Sequence, residues 1–440
     1  MIEPRPPLRA LIVTDYYRPL IGGSIQSLEQ LARHLTARGH TVEIATSWQP
    51  GLAPVETLAG VRVHRLRDVS SRMRWVSEDP YKHNPPPFPD PELSVRMRRL
   101  IRRFQPDLVH TYGWISHSAA AALLGTKIPL LLSARDYGNI CALGTLVRKG
   151  ELCSGPAPAK CLACAGSRYG AAKGTVAVAS VFAARPLLRS RTTQLHAVSR
   201  FVGAMMDRYL RIPQARSVVI PNFHEDEAGR PVDPALLAQL PQEPFILFVG
   251  AFRRIKGIDE LFAAYGSLEN PPPLVLVGTR MTDTPERFPD GVTVITDVPH
   301  ATVMAIWERS LFGVSPTVAP EPLGNVVHEA MSCGRAMIGT RPGGHEDMIE
   351  DGETGLLVPA GDSVALAQAM ARLIEEPELR ERIGTRARER AKMFTPQSII
   401  PRLENLYYDT VSLGGDDSRT SAAWRRTARA VLNGRNRLER

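Results

Sequence analysis

The sequence lacks a basic-then-apolar leader at its N-terminus, which reads Met-Ile-Glu-Pro-Arg-Pro-Pro, and it lacks any run approaching the roughly 18 apolar residues that cross a bilayer. Both absences predict a cytoplasmic protein. No Gly-x-Gly-x-x-Gly follows the first apolar strand, which argues against a dinucleotide-dependent dehydrogenase. No two-histidine metal motif is present, and no basic segment is interleaved with aromatics, so nucleic acid is not an expected partner. Cysteine is scarce, with five among 440 residues. What remains is ordinary: 43% apolar and 22% charged residues exclude disorder, coiled coil and collagen as whole-chain descriptions. At about 150 residues per domain, the length predicts two or three units rather than one small core.

Strand and helix signals alternate. An apolar run over 8–14 leads through a glycine-containing loop into a helical pattern (Leu28, Leu31, Leu35) that stops at Gly39, and a second strand follows over 42–46. Further strands are predicted over 107–110, 130–133 and 194–199. After Pro221-Asn222 and a Pro-rich stretch through Pro244 the pattern restarts with a strand over 245–250, then Arg253-Arg254-Ile255-Lys256-Gly257 and a helix over 258–265. Strands follow over 274–278, 292–296, 312–315, 336–339 and 355–358. This is an α/β rhythm of two doubly wound domains with parallel sheets, which bind ligands at the carboxyl ends of their strands and in the cleft between them.

The net charge of +9, from 54 basic and 45 acidic residues, is unevenly spread. Seven arginines against Asp416, Asp417 and Glu439 make 411–440 a basic tail, predicted to be mobile. Arg96, Arg98, Arg99, Arg102 and Arg103 alternate with Leu93, Met97, Leu100, Ile101 and Phe104 at helical spacing. Two readings stand: a domain helix with a solvated arginine face, or peripheral contact with an anionic membrane.

The segment from Pro320 to Gly334 carries the most specific chemistry. Glu321 and Glu329 are separated by seven residues, with Leu323-Gly324-Asn325 opening a helical run between them. A helix starting near Gly324 would aim free N–H groups and its positive dipole end at a diphosphate. The two carboxylates, each able to accept two hydrogen bonds, would flank it and read vicinal hydroxyls. The plain alternative is a surface helix with two solvated glutamates.

Glu321 to Gly344 resembles, nearly residue for residue, the signature of retaining nucleotide-sugar glycosyltransferases of family 4, and the similarity extends over most of residues 8–410. The resemblance implies the GT-B architecture of two facing Rossmann-like domains. On that plan residues 1–217 form an acceptor-binding domain, 218–394 a donor domain, and 395–410, with Phe394-Thr395 and Tyr407-Tyr408, a helix crossing back to the N-terminal domain. It implies that Glu321 contacts the donor sugar, that Glu329 holds the ribose, and that amides of Leu323, Gly324 and Asn325 bind the diphosphate. Gly22-Gly23 resembles the family's N-terminal glycine loop near the donor phosphate. Lys256 is placed to support the departing diphosphate. Relatives commonly have an arginine where this chain has Ala251, which leaves Arg253 or Arg254 to reach the phosphate.

A larger departure is Arg135, in Ser133-Ala134-Arg135-Asp136-Tyr137, where many relatives have histidine. An arginine does not serve as a general base. In front-face transfer the leaving phosphate accepts the acceptor's proton, so Arg135 is expected to hold a phosphate or acidic sugar. Loss of activity is the rival reading. His110, Tyr112 and Asp136 are candidate acceptor-side residues, with His110 equally readable as a satisfied strand-end histidine. Residues 68–91, with Trp75 and Tyr81, are the expected acceptor loop.

Cys141, Cys153, Cys161 and Cys164 fall within an insertion over 138–166. In a reducing compartment they argue against structural disulfides and for either a structural zinc site or free thiols. No cofactor is expected to be required for catalysis. The expected activity is transfer of a sugar from a UDP- or GDP-sugar to a hydroxyl acceptor such as a glycan, a glycolipid or a small metabolite. The alternatives are a catalytically impaired sugar-nucleotide-binding protein and a GT-B nucleotide-sugar epimerase or phosphorylase.

Overall fold

The computed structural model describes residues 5–20, 23–69, 71, 85–225 and 231–414. Gly22, Trp75, Tyr81 and the arginines of the tail lie outside the described residues.

The first half forms one eight-stranded sheet. Its strands in chain order are β1 Arg9–Thr14, β2 Thr41–Ser47, β3 Val55–Leu58, β4 Val61–Leu66, β5 Leu108–Tyr112, β6 Leu130–Ala134, β9 Thr192–Ala197 and β10 Ser217–Val219. The short pair β7 Val147–Arg148 and β8 Glu151–Leu152 stands apart as a hairpin. The spatial order is β10-β9-β6-β5-β1-β2-β4-β3, parallel throughout except for edge strand β3. β1, β5 and β6 read as nearly unbroken apolar runs because both faces of the sheet are covered.

The second half forms a six-stranded parallel sheet in the order β13-β12-β11-β14-β15-β16. Its strands are β11 Phe245–Val249, β12 Leu274–Gly278, β13 Val292–Thr296, β14 Ser310–Val314, β15 Met337–Arg341 and β16 Leu356–Pro359. In each sheet the chain winds one way from a central strand and then reverses. The reversal puts one crevice between β1 and β5 and another between β11 and β14, both at the carboxyl ends.

The boundary expected between 217 and 218 falls inside β10, whose residues pair with β9, so the first sheet runs to Val219. The sequence pattern also missed the β3–β4 hairpin, whose burial alternates weakly.

Helix Pro396–Gly414 returns to the first domain. Ile399, Ile400, Leu403, Leu406 and Tyr407 pack with Leu8, Ile12, Leu28, Leu35 and Leu131 in one cluster. Burial of each aliphatic side chain contributes about 1.5–3 kcal/mol, so this helix is part of the N-terminal core.

Helix Pro91–Phe104 settles the choice left open by its arginines. Asp90 caps it through Leu93 N–H, and Leu93, Met97, Leu100, Ile101 and Phe104 are buried against the domain. The apolar stripe that a membrane would need is occupied by the core. Helix Ala171–Arg191 is long and apolar enough to cross a membrane by length and composition alone, although Lys173 and its arginines break any continuous apolar run. Its Val178, Val181, Ala184 and Leu188 are buried in the protein, and Arg185, Arg189 and Arg191 interrupt its second half.

Candidate functional site

A cavity of about 500 Å³ lies between the domains. From the C-terminal side it is walled by Gly250 after β11, Ser315 after β14, Lys256, His300, the stretch Glu321 to Val326, and Glu329. From the N-terminal side come Gly23, Gln26, Arg135, Val198 and Asn222.

The C-terminal wall is built around helix Asn325–Ser332. Gly324 precedes it at φ +88°, a conformation that favours glycine, and a Cβ there would stand 2.7 Å from the His345 ring. The N–H groups of Asn325 and Val326 precede the helix's own bonding, Val327 N–H donates to the Gly324 carbonyl at 3.0 Å, and this end of the helix lines the cavity. The preceding loop is tied down where Gly344 N–H donates to the Glu321 carbonyl at 2.6 Å. One turn inside the helix, Glu329 accepts from Trp307 Nε1 at 3.2 Å and meets His300 Nε2 at 3.1 Å.

Lys256 ends the turn Arg254–Lys256, which closes on Gly257 at φ +78°. A Cβ on Gly257 would stand 1.9 Å from the Pro316 carbonyl oxygen, so only glycine lets this turn lie against the end of β14. The Lys256 ammonium donates to Glu321 Oε2 at 2.7 Å, with the two side chains 39% and 16% exposed. Burial alone would push the Glu321 carboxyl up. The Lys256 charge, His345 and the Lys256 hydrogen bond outweigh it and hold Glu321 below its usual range.

Across the cleft, Arg135 Nη2 donates to Asn222 Oδ1 at 2.8 Å, and Asn222 Nδ2 donates to Asn325 Oδ1 at 3.2 Å. Gly23 comes so close that a Cβ would lie 2.8 Å from Asn325 Nδ2. Arg135, Asn222 and Gly23 therefore converge on Asn325, which opens helix Asn325–Ser332.

Other predicted residues stand elsewhere. Arg253 is paired with Asp283 at 3.0 Å and Arg254 with Asp259 at 3.5 Å, and neither is among the cavity's lining residues. His110 is fully buried and satisfied, which corrects its reading as a substrate contact. His196 Nε2 faces the Ile220 carbonyl at 2.8 Å and must donate to it, so His196 Nδ1 accepts from Ser133 Oγ at 2.6 Å. Ser133 then accepts from His110 Nε2 at 2.7 Å, and His110 Nδ1 accepts from Tyr407 Oη at 2.7 Å. Burial, with His196 and Arg135 nearby, holds the His110 imidazole well below its usual range and therefore neutral. Tyr112 is also buried, with the Arg135 guanidinium 5.7 Å from its ring centroid. Asp136 is exposed and turns back to accept from Gly138 N–H at 2.8 Å.

Sequence reasoning missed three side chains. His300 and Trp307 hold Glu329 from helix His300–Arg309; their seven-residue spacing, two turns on one face, was the only signal. Asp15 follows β1 at the first domain's crevice and accepts from Trp114 and Ile115 N–H at 2.9 and 2.7 Å. Burial pushes its carboxyl up to about 7, partly offset by those two hydrogen bonds and reinforced by Asp136.

A cavity of about 500 Å³ at the strand ends of two parallel sheets, with a helix N-terminus, a lysine and two carboxylates on one wall, suits a sugar nucleotide. Comparison with known families agrees: "Glycosyltransferase Family 4" matches residues 21–227 and "Glycosyl transferases group 1" matches residues 235–390. The chain is a family 4 glycosyltransferase. Its sequence is 24% identical over 422 residues to N-acetyl-alpha-D-glucosaminyl L-malate synthase of Bacillus anthracis, covering 89% of this chain and 95% of that one. It is 25% identical over 474 residues to a D-inositol 3-phosphate glycosyltransferase of Acidothermus cellulolyticus, covering 97% and 95%. In fold, this glycosyltransferase is similar to sucrose-phosphate synthase from Thermosynechococcus elongatus at a TM-score of 0.69 and 22% identity, covering 92% of this chain and 99% of that one. The Anabaena protein HepE, solved with UDP and glucose, gives a TM-score of 0.63 at 17% identity, covering 90% and 98%. The two sheets and the returning helix of this glycosyltransferase are thus the GT-B fold.

Proposed function

We propose that this glycosyltransferase moves a sugar from a UDP- or GDP-sugar to a hydroxyl of a glycan, glycolipid or small metabolite, with retention of anomeric configuration. The observation that carries the reading is the joint placement of Lys256, Glu321, the Gly324 helix start and Glu329 on one wall of one cavity.

In this reading Glu329 receives the ribose hydroxyls, held ready by Trp307 and His300. The diphosphate lies against the amides of Leu323, Gly324 and Asn325. Lys256, now paired with Glu321, turns part of its charge to the oxygen that becomes negative as the glycosidic bond breaks. Glu321 keeps its remaining lone pairs for the sugar hydroxyls and stays ionised to do so. The acceptor approaches from the side of Gly23 and Arg135, its hydroxyl proton passing to the departing phosphate, so no side chain on that side needs to be a base. Arg135 contributes fixed positive charge and favours a phosphate or acidic group there. Contact between the domains around Asn325 excludes water and limits hydrolysis of the donor.

Incubation with UDP- and GDP-sugars over an acceptor panel, with the product anomer read by NMR, tests the proposal. A glycoside of the donor's own configuration supports it. An inverted product, or a donor changed at a sugar carbon without transfer, would overturn it.

A further inference from the structure

Between β6 and β9, Tyr137, Ile140, Leu146 and Leu188 join the main core, and the rest of the segment depends on a small cluster of its own. Its own buried cluster is Ala142, Ala165, Val178 and Val181, small side chains that bury little apolar area. A segment this poor in core ordinarily needs a staple.

The four cysteines of the insertion come together although they are spread over its whole length. Cys141 closes the turn after Tyr137, its N–H donating to the Tyr137 carbonyl at 2.8 Å. Cys153 leaves the β7–β8 hairpin and is fixed by its N–H to the Leu146 carbonyl at 2.7 Å. Cys161 and Cys164 lie one turn apart at the start of helix Pro158–Tyr169. All four line the same small cavity of about 20 Å³. None is in a disulfide.

We propose that these four thiols form a structural zinc site that staples the insertion to the end of β6. Four cysteines from a turn, a hairpin and a helix start are a sulfur-only donor set, which suits a tetrahedral Zn²⁺ or an iron–sulfur cluster. The small space between the thiols, about 20 Å³, favours a single ion over a cluster carrying its own sulfides. Binding exchanges four thiol protons for one Zn²⁺ and leaves a complex of charge −2. Cations are in place to meet that charge: Lys160 lines the cavity, Arg148 acts on Cys164, and Arg185 acts on Cys161 and Cys141. Among the described residues no three ligating side chains already stand at coordination spacing, so binding includes rotation of the cysteine side chains onto the ion. Cys141 is six residues beyond Arg135, so the metal fixes the loop that carries Arg135 and Asp136 to the cleft without touching the reacting atoms.

The test uses the full chain, purified from zinc-supplemented culture without chelators. Elemental analysis should find one zinc per chain, and titration with a mercurial should release it, read with a chromophoric chelator. Cys164→Ser should lower bound zinc by at least about tenfold. Should that variant misfold, wild type grown in cobalt keeps the proposal testable, since it should show the charge-transfer absorption of a four-thiolate tetrahedral site. Chelation should lower the melting temperature while leaving nucleoside diphosphate binding measurable, so a failed zinc site and a failed donor site are told apart. Metal-free protein, iron with acid-labile sulfide, or a disulfide among the four by mass mapping would each overturn the proposal.

Discussion

Lys256 and Glu321, 65 residues apart in sequence, meet at 2.7 Å on the wall of the interdomain cavity. The pair joins the turn after β11 to the loop after β14, across the point where the second sheet reverses. In the proposed reaction Lys256 serves the leaving diphosphate and Glu321 the sugar hydroxyls, and the Lys256 charge and hydrogen bond help hold the Glu321 carboxyl below its usual range.

Lys256→Ala removes the cation that the proposed reaction assigns to the bond to be broken. Loss of one such preorganised group costs about 10²–10³ in kcat. Single-turnover transfer should fall by that factor while nucleoside diphosphate affinity changes far less. A variant that loses affinity alone would place Lys256 in ground-state binding instead.

Gly344→Ala should damage the donor loop from behind. A Cβ at 344 would stand 2.2 Å from the Pro322 carbonyl oxygen and 2.5 Å from Leu323 Cα, backbone that cannot rotate away. Overpacking of this kind costs about 1–3 kcal/mol. The melting temperature should drop and donor binding weaken together. Gly166→Ala is the matched control, because a Cβ there meets nothing within 4 Å and the site is helical.

His110→Ala separates packing from chemistry. It leaves the Tyr407 hydroxyl without its His110 acceptor and Ser133 with His196 alone, at about 1–3 kcal/mol. Chemical denaturation should show that loss, and the KM for either substrate should stay near the wild-type value.

Asp15 gives the fold a pH dependence. Its carboxyl titrates near 7 in the folded protein against 3.8 when unperturbed. Between those values the folded state binds more protons than the unfolded state, so this group's contribution is fully present below 3.8 and is lost as pH rises through about 7. Melting temperatures measured across that window should fall less steeply in Asp15→Asn than in wild type. Equal slopes would show that Asp15 ionises normally.

How much was legible follows from physics of different range. The parallel strands were visible because burial on both faces makes them continuous apolar runs, as in 108–112 and 274–278. The loop and helix from Glu321 to Glu329 were legible because a glycine just before a helical run, between two glutamates at fixed spacing, marks a helix start opened by positive φ. The β3–β4 hairpin was not, since its edge strand alternates weakly and carries no turn signal strong enough to mark it. Arg253 and Arg254 were drawn toward the phosphate by proximity in sequence, and in the structure they stand beside Asp283 and Asp259, outside the residues that line the cavity. His110 was left between two readings because a strand end faces either a cleft or a covering helix. The tyrosine that covers it, Tyr407, lies 297 residues away.

The central claim is that the wall from Lys256 to Glu329 binds a sugar nucleotide. Calorimetry of uridine and guanosine diphosphates and their sugars on wild type and Glu329→Ala tests it most directly. Hydrogen bonds to a charged carboxylate contribute about 1.5–3 kcal/mol, so one nucleotide family should bind to wild type and about 10- to 150-fold more weakly to the variant. If no nucleotide binds, or if Glu329→Ala binds as tightly as wild type, the donor site is not on this wall.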